Sequence, residues 1–111
     1  MKTHNLLVLN ATLYSNAKSW YAQINARSAI GISKDGTTLV LFTVDVRGGS
    51  AGMSVGEVAD LLMEDYGVYQ AFNLDGGGST TLALDGRIVN VPSDNPKGRA
   101  VGSSLAVFAG R

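Results

Sequence analysis

The sequence predicts an α+β fold, a mostly antiparallel or mixed β-sheet with one main amphipathic helix at about residues 54–66, and three observations carry that expectation. Short apolar runs of strand composition recur along the chain, glycine-based turn signals separate them, and a single stretch keeps a helical period. At 111 residues, 45% hydrophobic and 16% charged, with mean hydropathy +0.12, the chain fits a single domain spanning 1–111. Folding at this size hides roughly 65% of the extended chain's surface, enough for one core.

The first strand is expected over about residues 6–14, where Leu6-Leu7-Val8-Leu9 leads through Asn10 to Leu13 and polar Tyr14-Ser15-Asn16. Ser15 to Gln23 has only weak periodicity and reads as loop or a helical turn, with Trp20 and Tyr21 as core or rim residues. Arg27 to Ile32 and Thr37 to Val44 are apolar runs joined by Ser33-Lys34-Asp35-Gly36, which predicts an antiparallel hairpin. After the glycine loop at 47–52, Ser54 and Glu57 have the spacing of a capping box. Val55, Val58, Ala59, Leu62 and Met63 then mark one helical face, and Gly67 is the expected stop. Tyr69 to Leu74 reads as a buried strand, Thr80 to Leu84 and Arg87 to Val91 as a hairpin about Asp85-Gly86, and Ala100 to Ala109 as the strand that closes the sheet. Internal repeats, charge blocks and interdomain linkers are absent from the sequence.

Nine Lys plus Arg balance nine Asp plus Glu, so no bulk field favours a polyanion, and neither nucleic acid nor an anionic membrane is expected as partner. The chain contains no Cys, which removes disulfides, thiolate zinc sites and cysteine nucleophiles. The apolar run at residues 6–9 is too short for a signal-peptide core, so a cytoplasmic location is the default expectation. His4, the only histidine, lies near a chain end and reads as incidental, which removes a Ser-His-Asp triad and any His-based metal site. Chemistry must then run on carboxylates, arginines, hydroxyls and backbone dipoles.

The outstanding local feature is Asn73-Leu74-Asp75-Gly76-Gly77-Gly78-Ser79-Thr80. Three consecutive glycines are costly in backbone entropy. One reading is a positive-φ turn between strands; the other is a nest of bare amides for an anion, with Asp75, Ser79 and Thr80 projecting into the same cavity. No Lys follows the glycines, so this is not a nucleotide P-loop. A second cluster is Val44-Asp45-Val46-Arg47, where Asp45 and Arg47 either pair with each other at the surface or share a pocket with Asp75. The third, Asn90-Val91-Pro92-Ser93-Asp94 followed by Arg99, has the composition of any turn.

Taken in order, Arg27-Ser28-Ala29-Ile30-Gly31, Val44-Asp45-Val46-Arg47, Gly52-Met53-Ser54, Leu74-Asp75-Gly76-Gly77-Gly78-Ser79-Thr80, Asn90-Val91-Pro92-Ser93-Asp94 and Arg99-Ala100-Val101 resemble the phosphodiester glycosidase family. The resemblance runs from Arg27 to about Phe108, and Leu9 to Tyr14 resembles a remnant of an earlier family strand. Val46 and Ser103 stand where the family favours Gly and Asn. The resemblance implies a form of the family's domain shortened between the first strand and Arg27. It also implies hydrolysis of a sugar-1-phosphate diester at the anomeric C–O bond, releasing sugar and a phosphomonoester. Asp75 would be nucleophile, base or oxocarbenium stabiliser, and Asp45 a second catalytic candidate. Arg27 and Arg99 would grip phosphate, and Gly76, Gly77, Gly78, Ser79 and Thr80 would complete the anion site. Asn73, Arg47, Asn10 and Asp94 follow as further substrate ligands.

Three readings of function therefore stand. They are this glycosidase, a non-catalytic protein that binds a phosphorylated sugar or nucleotide through the same cradle, and a structural or assembly module in which the glycines serve packing alone. No cofactor is implied; converging Asp and Asn oxygens leave room for a divalent metal, although no spaced ligand motif argues for one. Exposed strand edges and apolar surface predict a homo-oligomer.

Overall fold

The structure, a computed structural model, describes residues 6–9, 12–13, 22–93, 97–102 and 104–108. Strands β1 (Leu6–Leu9), β2 (Thr12–Leu13), β3 (Arg27–Ser33), β4 (Leu39–Val44) and β5 (Val68–Asn73) form a five-stranded sheet in the order β2-β1-β5-β3-β4. Helix α1 (Val55–Tyr66) links β4 to β5, and β6 (Ala83–Leu84) with β7 (Arg87–Ile88) makes a separate two-stranded ribbon. Every strand pairing among the described residues is antiparallel, so the α+β expectation holds with the antiparallel choice.

The β3–β4 hairpin runs in unbroken register from Arg27↔Val44 to Ile32↔Leu39. Gly36 turns it at φ 73°, and Asp35 Oδ1 accepts from the Ser33 hydroxyl, the Thr37 amide and the Thr37 hydroxyl. Since β4 and β5 both pair antiparallel with β3, they run parallel to each other on its two sides. That arrangement needs a long crossover, and α1 supplies it.

The helix starts and stops where its end residues dictate. Ser54 Oγ accepts from the Glu57 amide (3.1 Å) while the Glu57 carboxylate accepts from the Ser54 amide (2.9 Å), a complete capping box. Such a cap contributes about 1 kcal/mol through amides that would otherwise lack partners. Gly67 closes the helix at φ 63°, a left-handed geometry that a side chain would strain. Val55, Val58, Ala59 and Leu62 are buried against Ala29, Val68 and Ala71 of the sheet, with Val40, Phe42, Val44, Met53 and Met63 packed around them. A Cβ on Gly31 would sit 2.7 Å from Val68 Cγ1, so this close approach of β3 to β5 requires glycine.

Two expectations are corrected. The run expected as one first strand over 6–14 is a pair of strands, with Val8↔Leu13 and Leu9↔Thr12 in antiparallel register. The chain reverses between Leu9 and Thr12. The strand expected over 100–109 does not form in its described part, residues 100–102 and 104–108. A strand needs a hydrogen-bonding partner as well as apolar composition, and no strand of the sheet pairs with this segment. Val101, Leu105, Val107 and Phe108 are accordingly exposed.

Candidate functional site

The glycine turn is built onto the start of β3. Beyond β5 the chain keeps following its neighbour, with the Leu74 amide donating to Ser28 O (2.8 Å) and the Gly77 amide to Ala26 O (2.8 Å). Residues Gly77–Ser79 then form one 3-10 turn, in which Ser79 N donates to Gly76 O and Thr80 N to Gly77 O, both at 3.1 Å. Two of the three glycines have separate reasons to be glycine. A Cβ on Gly76 would lie 2.8 Å from Ala26 O, whereas Gly77 has open space but a φ of 58°. The turn's own bonds use the Gly77, Ser79 and Thr80 amides, and the Gly76 and Gly78 amides take no part in them. The expected row of three glycine amides is thus reduced, because Gly77 N–H is committed to the β3 backbone.

Arg99 and Ser79 come together. The exposed guanidinium of Arg99 donates to Ser79 Oγ from Nη2 (2.7 Å) and from Nε (3.3 Å), which fixes a cation against the C-terminal side of the turn. Asp75, exposed, stands immediately before the glycines, and its carboxylate accepts no hydrogen bond from the described residues. Thr80 is fully buried with its Oγ1 lacking a partner among the described residues, as does the buried Oδ1 of Asn73. Orphaned buried oxygens cost free energy, and both lie on the two strands of chain that lead into and out of the turn.

Arg27 is placed differently. It is 8% exposed, and its guanidinium donates from Nε to Met53 O (3.1 Å) and from Nη2 to Gln23 O. Burial lowers its pKa from the ordinary arginine value, a shift without effect on its charge near neutrality. The side chain ties the 23–27 approach to the 52–54 loop, whose Met53 also exchanges backbone bonds with Asn25 (3.2 and 3.0 Å).

Asp45 and Arg47 do not pair, and the alternative of a surface ion pair between them is not realised among the described residues. Asp45 Oδ1 accepts from Asn90 Nδ2 (2.9 Å) and its Oδ2 from the Val91 amide (2.8 Å), while Arg47 is exposed on the neighbouring loop. Asn90 in turn accepts from the Leu82 amide (2.8 Å) and donates to Thr80 O (2.9 Å). These side-chain bonds replace ladder bonds, which is why the hairpin expected over 80–91 keeps only the short β6–β7 pairing about Asp85 (φ 51°) and Gly86 (φ 76°). Asn10 and Asp94 lie outside the described residues.

Sequence reasoning passed over Asn25 and read Asn90 only as turn composition. Asn25 Oδ1 accepts from the Ala26 amide (2.8 Å), and its side chain lies beside Gly77. A polar residue directly before an apolar strand was the available signal for the first; the second depends on a partner far away in the chain. Among the described residues no three His, Cys, Asp or Glu side chains are grouped to hold a metal, and no helix is long and apolar enough to cross a membrane.

A family model described as phosphodiester glycosidase matches residues 1–108, nearly the whole chain and more than the 27–108 span of the expected resemblance. The chain belongs to the phosphodiester glycosidase family. Among curated members of this family, it is 43% identical over 72 residues to human N-acetylglucosamine-1-phosphodiester alpha-N-acetylglucosaminidase, covering 65% of this chain and 14% of that protein. It is 42% identical over 82 residues to an uncharacterized protein of the SPbeta prophage of Bacillus subtilis, covering 73% of this chain and 12% of the other. The chain thus spans about a seventh of the length of the curated relatives it matches. Among solved structures, the zebrafish catalytic domain of the same phosphodiester glycosidase, auto-inhibited by its pro-peptide, superposes with TM-score 0.66 at 34% identity, over 79% of this chain and 33% of that one. A putative exported protein of Burkholderia pseudomallei gives TM-score 0.64 at 41% identity, over 75% of this chain and 16% of the other.

Proposed function

We propose that this chain hydrolyses a sugar-1-phosphate diester at the anomeric C–O bond. The observation that carries the reading is the Arg99–Ser79 pair on a glycine turn that an exposed Asp75 precedes in the chain and that leaves the Gly76 and Gly78 amides out of its own bonding. Water supplies the oxygen that bonds to the anomeric carbon, and the departing phosphomonoester keeps the electron pair of the broken C–O bond. A phosphate leaves readily, so the demands are a carboxylate for the oxocarbenium-like carbon and positive groups for the phosphate oxygens. Asp75 meets the first. Arg99 and the Gly76 and Gly78 amides, which take no part in the turn's own bonds, meet the second, and Arg27, nearly buried and bonded to two backbone carbonyls, acts as their support. The family's named substrate is a phosphodiester-linked N-acetylglucosamine, which makes an N-acetylglucosamine-1-phosphate alkyl diester the first compound to try. A second copy of this chain belongs to the same reading, because β4 is an edge strand with Leu39 and Leu41 exposed.

The second reading, binding without turnover, draws on the shortening between the first strand and Arg27 that the resemblance implies, since walls that position sugar and water are what turnover adds to phosphate binding. One experiment separates the two. The diester is incubated with the parent protein and with Asp75→Asn, and free sugar and phosphomonoester are followed by NMR. Hydrolysis by the parent, with roughly 100-fold or greater loss in the variant, is expected. No product, with the diester bound stoichiometrically and recovered intact, replaces the first reading by the second; neither product nor binding rejects both.

A further inference from the structure

From the four hydrogen bonds joining Asp45, Asn90 and the segment 80–91, we infer that Asp45 is a positioning residue, which with Asn90 locks the exit of the glycine turn and so places Ser79 and its Arg99 contact. The inference deepens the function proposed above and rests on it for its catalytic consequence, though not for its structural content.

The geometry leaves the Asp45–Asn90 pair little freedom. Asp45 follows directly on β4, in the main sheet, whereas Thr80, Leu82, Asn90 and Val91 flank the small ribbon. Both oxygens of Asp45 are occupied, one by Asn90 Nδ2 and one by the Val91 amide. The Asn90 amide can face only one way: its Nδ2 meets two acceptors, Asp45 Oδ1 and Thr80 O, and its Oδ1 meets one donor, Leu82 N. Reversing it would set like against like at all three contacts. A carboxylate that accepts from an amide N–H and a carboxamide is held in a charge-assisted pair, stronger than neutral bonds of the same length. The covalent path from this pair to the site is short. Thr80 O is the atom Asn90 grips, Thr80 follows Ser79, and Ser79 Oγ receives Arg99. Among the described residues no strand ladder anchors Thr80, and the Asn90 side chain ties its carbonyl to the segment beyond the ribbon.

A role in the chemistry itself would make different demands on Asp45. A general acid or base must present an oxygen to the reacting atoms, and both oxygens here are turned to Asn90 and Val91 instead. Asn in place of Asp45 keeps the shape but brings an NH2 group against a donor, and Ala in place of Asn90 removes the grip on Thr80 O while leaving the Asp45–Val91 bond.

The test is amide hydrogen exchange by NMR on the parent chain, Asp45→Asn and Asn90→Ala. In each variant the Ser79 and Thr80 amides are expected to exchange about tenfold faster, while the helical Val58 amide, bonded to Ser54 O, keeps its rate. Unchanged exchange at Ser79 and Thr80 in a variant that keeps Val58 protection overturns the inference; if Asp45→Asn fails to fold, Asn90→Ala decides alone. Where the parent cleaves the diester, the pH profile of kcat/KM adds a readout that a structural role does not move. Asp45→Asn should lower kcat about tenfold or more and keep both limbs of the profile. Loss of a limb would make Asp45 a participant in proton transfer and overturn the assignment. Should the parent neither cleave nor bind, the proposed function fails, and the exchange result still judges the clamp.

Discussion

Replacing Gly76 by Ala tests the seat of the glycine turn, and its size can be worked out from the contacts. The backbone at Gly76 is extended, at φ −122° and ψ −152°, so an alanine there carries no left-handed strain. The cost is steric. The new Cβ would stand 2.8 Å from Ala26 O, inside the 3.0 Å that real Cβ atoms keep, and 3.5 Å from Arg27 Cα. Both neighbours are backbone, pinned by the β3 register and by the Gly77–Ala26 bond, so neither can swing aside as a side chain would. Overpacking of this kind costs about 1–3 kcal/mol. Losing the Gly77–Ala26 bond adds about 1 kcal/mol. At roughly 4 °C of Tm per kcal/mol for a domain of this size, the expected fall is about 8–16 °C. Gly77→Ala is the internal comparison, because its Cβ meets nothing closer than Asn25 Nδ2 at 3.7 Å and only the φ of 58° opposes it. That costs about 1–2 kcal/mol, hence about 4–8 °C. Thermal denaturation followed by circular dichroism gives both numbers. A Gly76→Ala protein melting within about 3 °C of the parent, or above Gly77→Ala, would refute the reasoning.

Two further outcomes are expected. The Asp35 carboxylate is held at about 2, against an ordinary 3.8, first by the Thr37 hydroxyl, then by the Ser33 hydroxyl and the Thr37 amide. A lowered folded-state pKa stabilises fully above the unfolded value and is lost as pH falls through the folded one, so the contribution should fade between about pH 4 and pH 2. Thr37→Val should move the NMR titration midpoint of Asp35 upward, and an unmoved midpoint would contradict the assignment of the cause. For association, the open edge of β4 with Leu39 and Leu41, together with exposed Leu105, Val107 and Phe108, leads to concentration-dependent self-association in sedimentation velocity. A single monomeric species from micromolar to hundreds of micromolar would refute it.

The parts of the fold that were legible in the sequence are those whose causes are local. Ser54, Glu57 and Gly67 announce the ends of α1 because cap and stop depend on residues within one turn of each other. Asp85-Gly86 and Asp35-Gly36 announce their turns for the same reason. Residues 6–14 and 100–109 failed as single strands because apolar composition says nothing about which partner, if any, supplies the other half of each hydrogen bond. Within the candidate site the glycine turn stood out, since its backbone demands are written in residue type. Its surroundings did not. Arg27 enters as a phosphate ligand through the resemblance, while its burial and its bond to Met53 O depend on a loop 26 residues away that residue type alone does not announce. Asp45 and Asn90 are 45 positions apart and meet only once the ribbon has folded back against β4.

The two ends of β3 differ in how far their attachments reach along the chain. At the Ser33 end, Asp35, Thr37 and Thr38 close a loop among immediate neighbours, and such a loop forms in isolation at small entropic cost. At the Ala26 end, the backbone ties span long excursions: Asn25 to Met53 and Ala26 to Gly77. No fragment lacking either excursion can seat the catalytic candidates. Appearance of the Gly77–Ala26 bond during refolding would therefore serve as a clock marking closure of the 26–77 segment, later than the far hairpin and later than the helix.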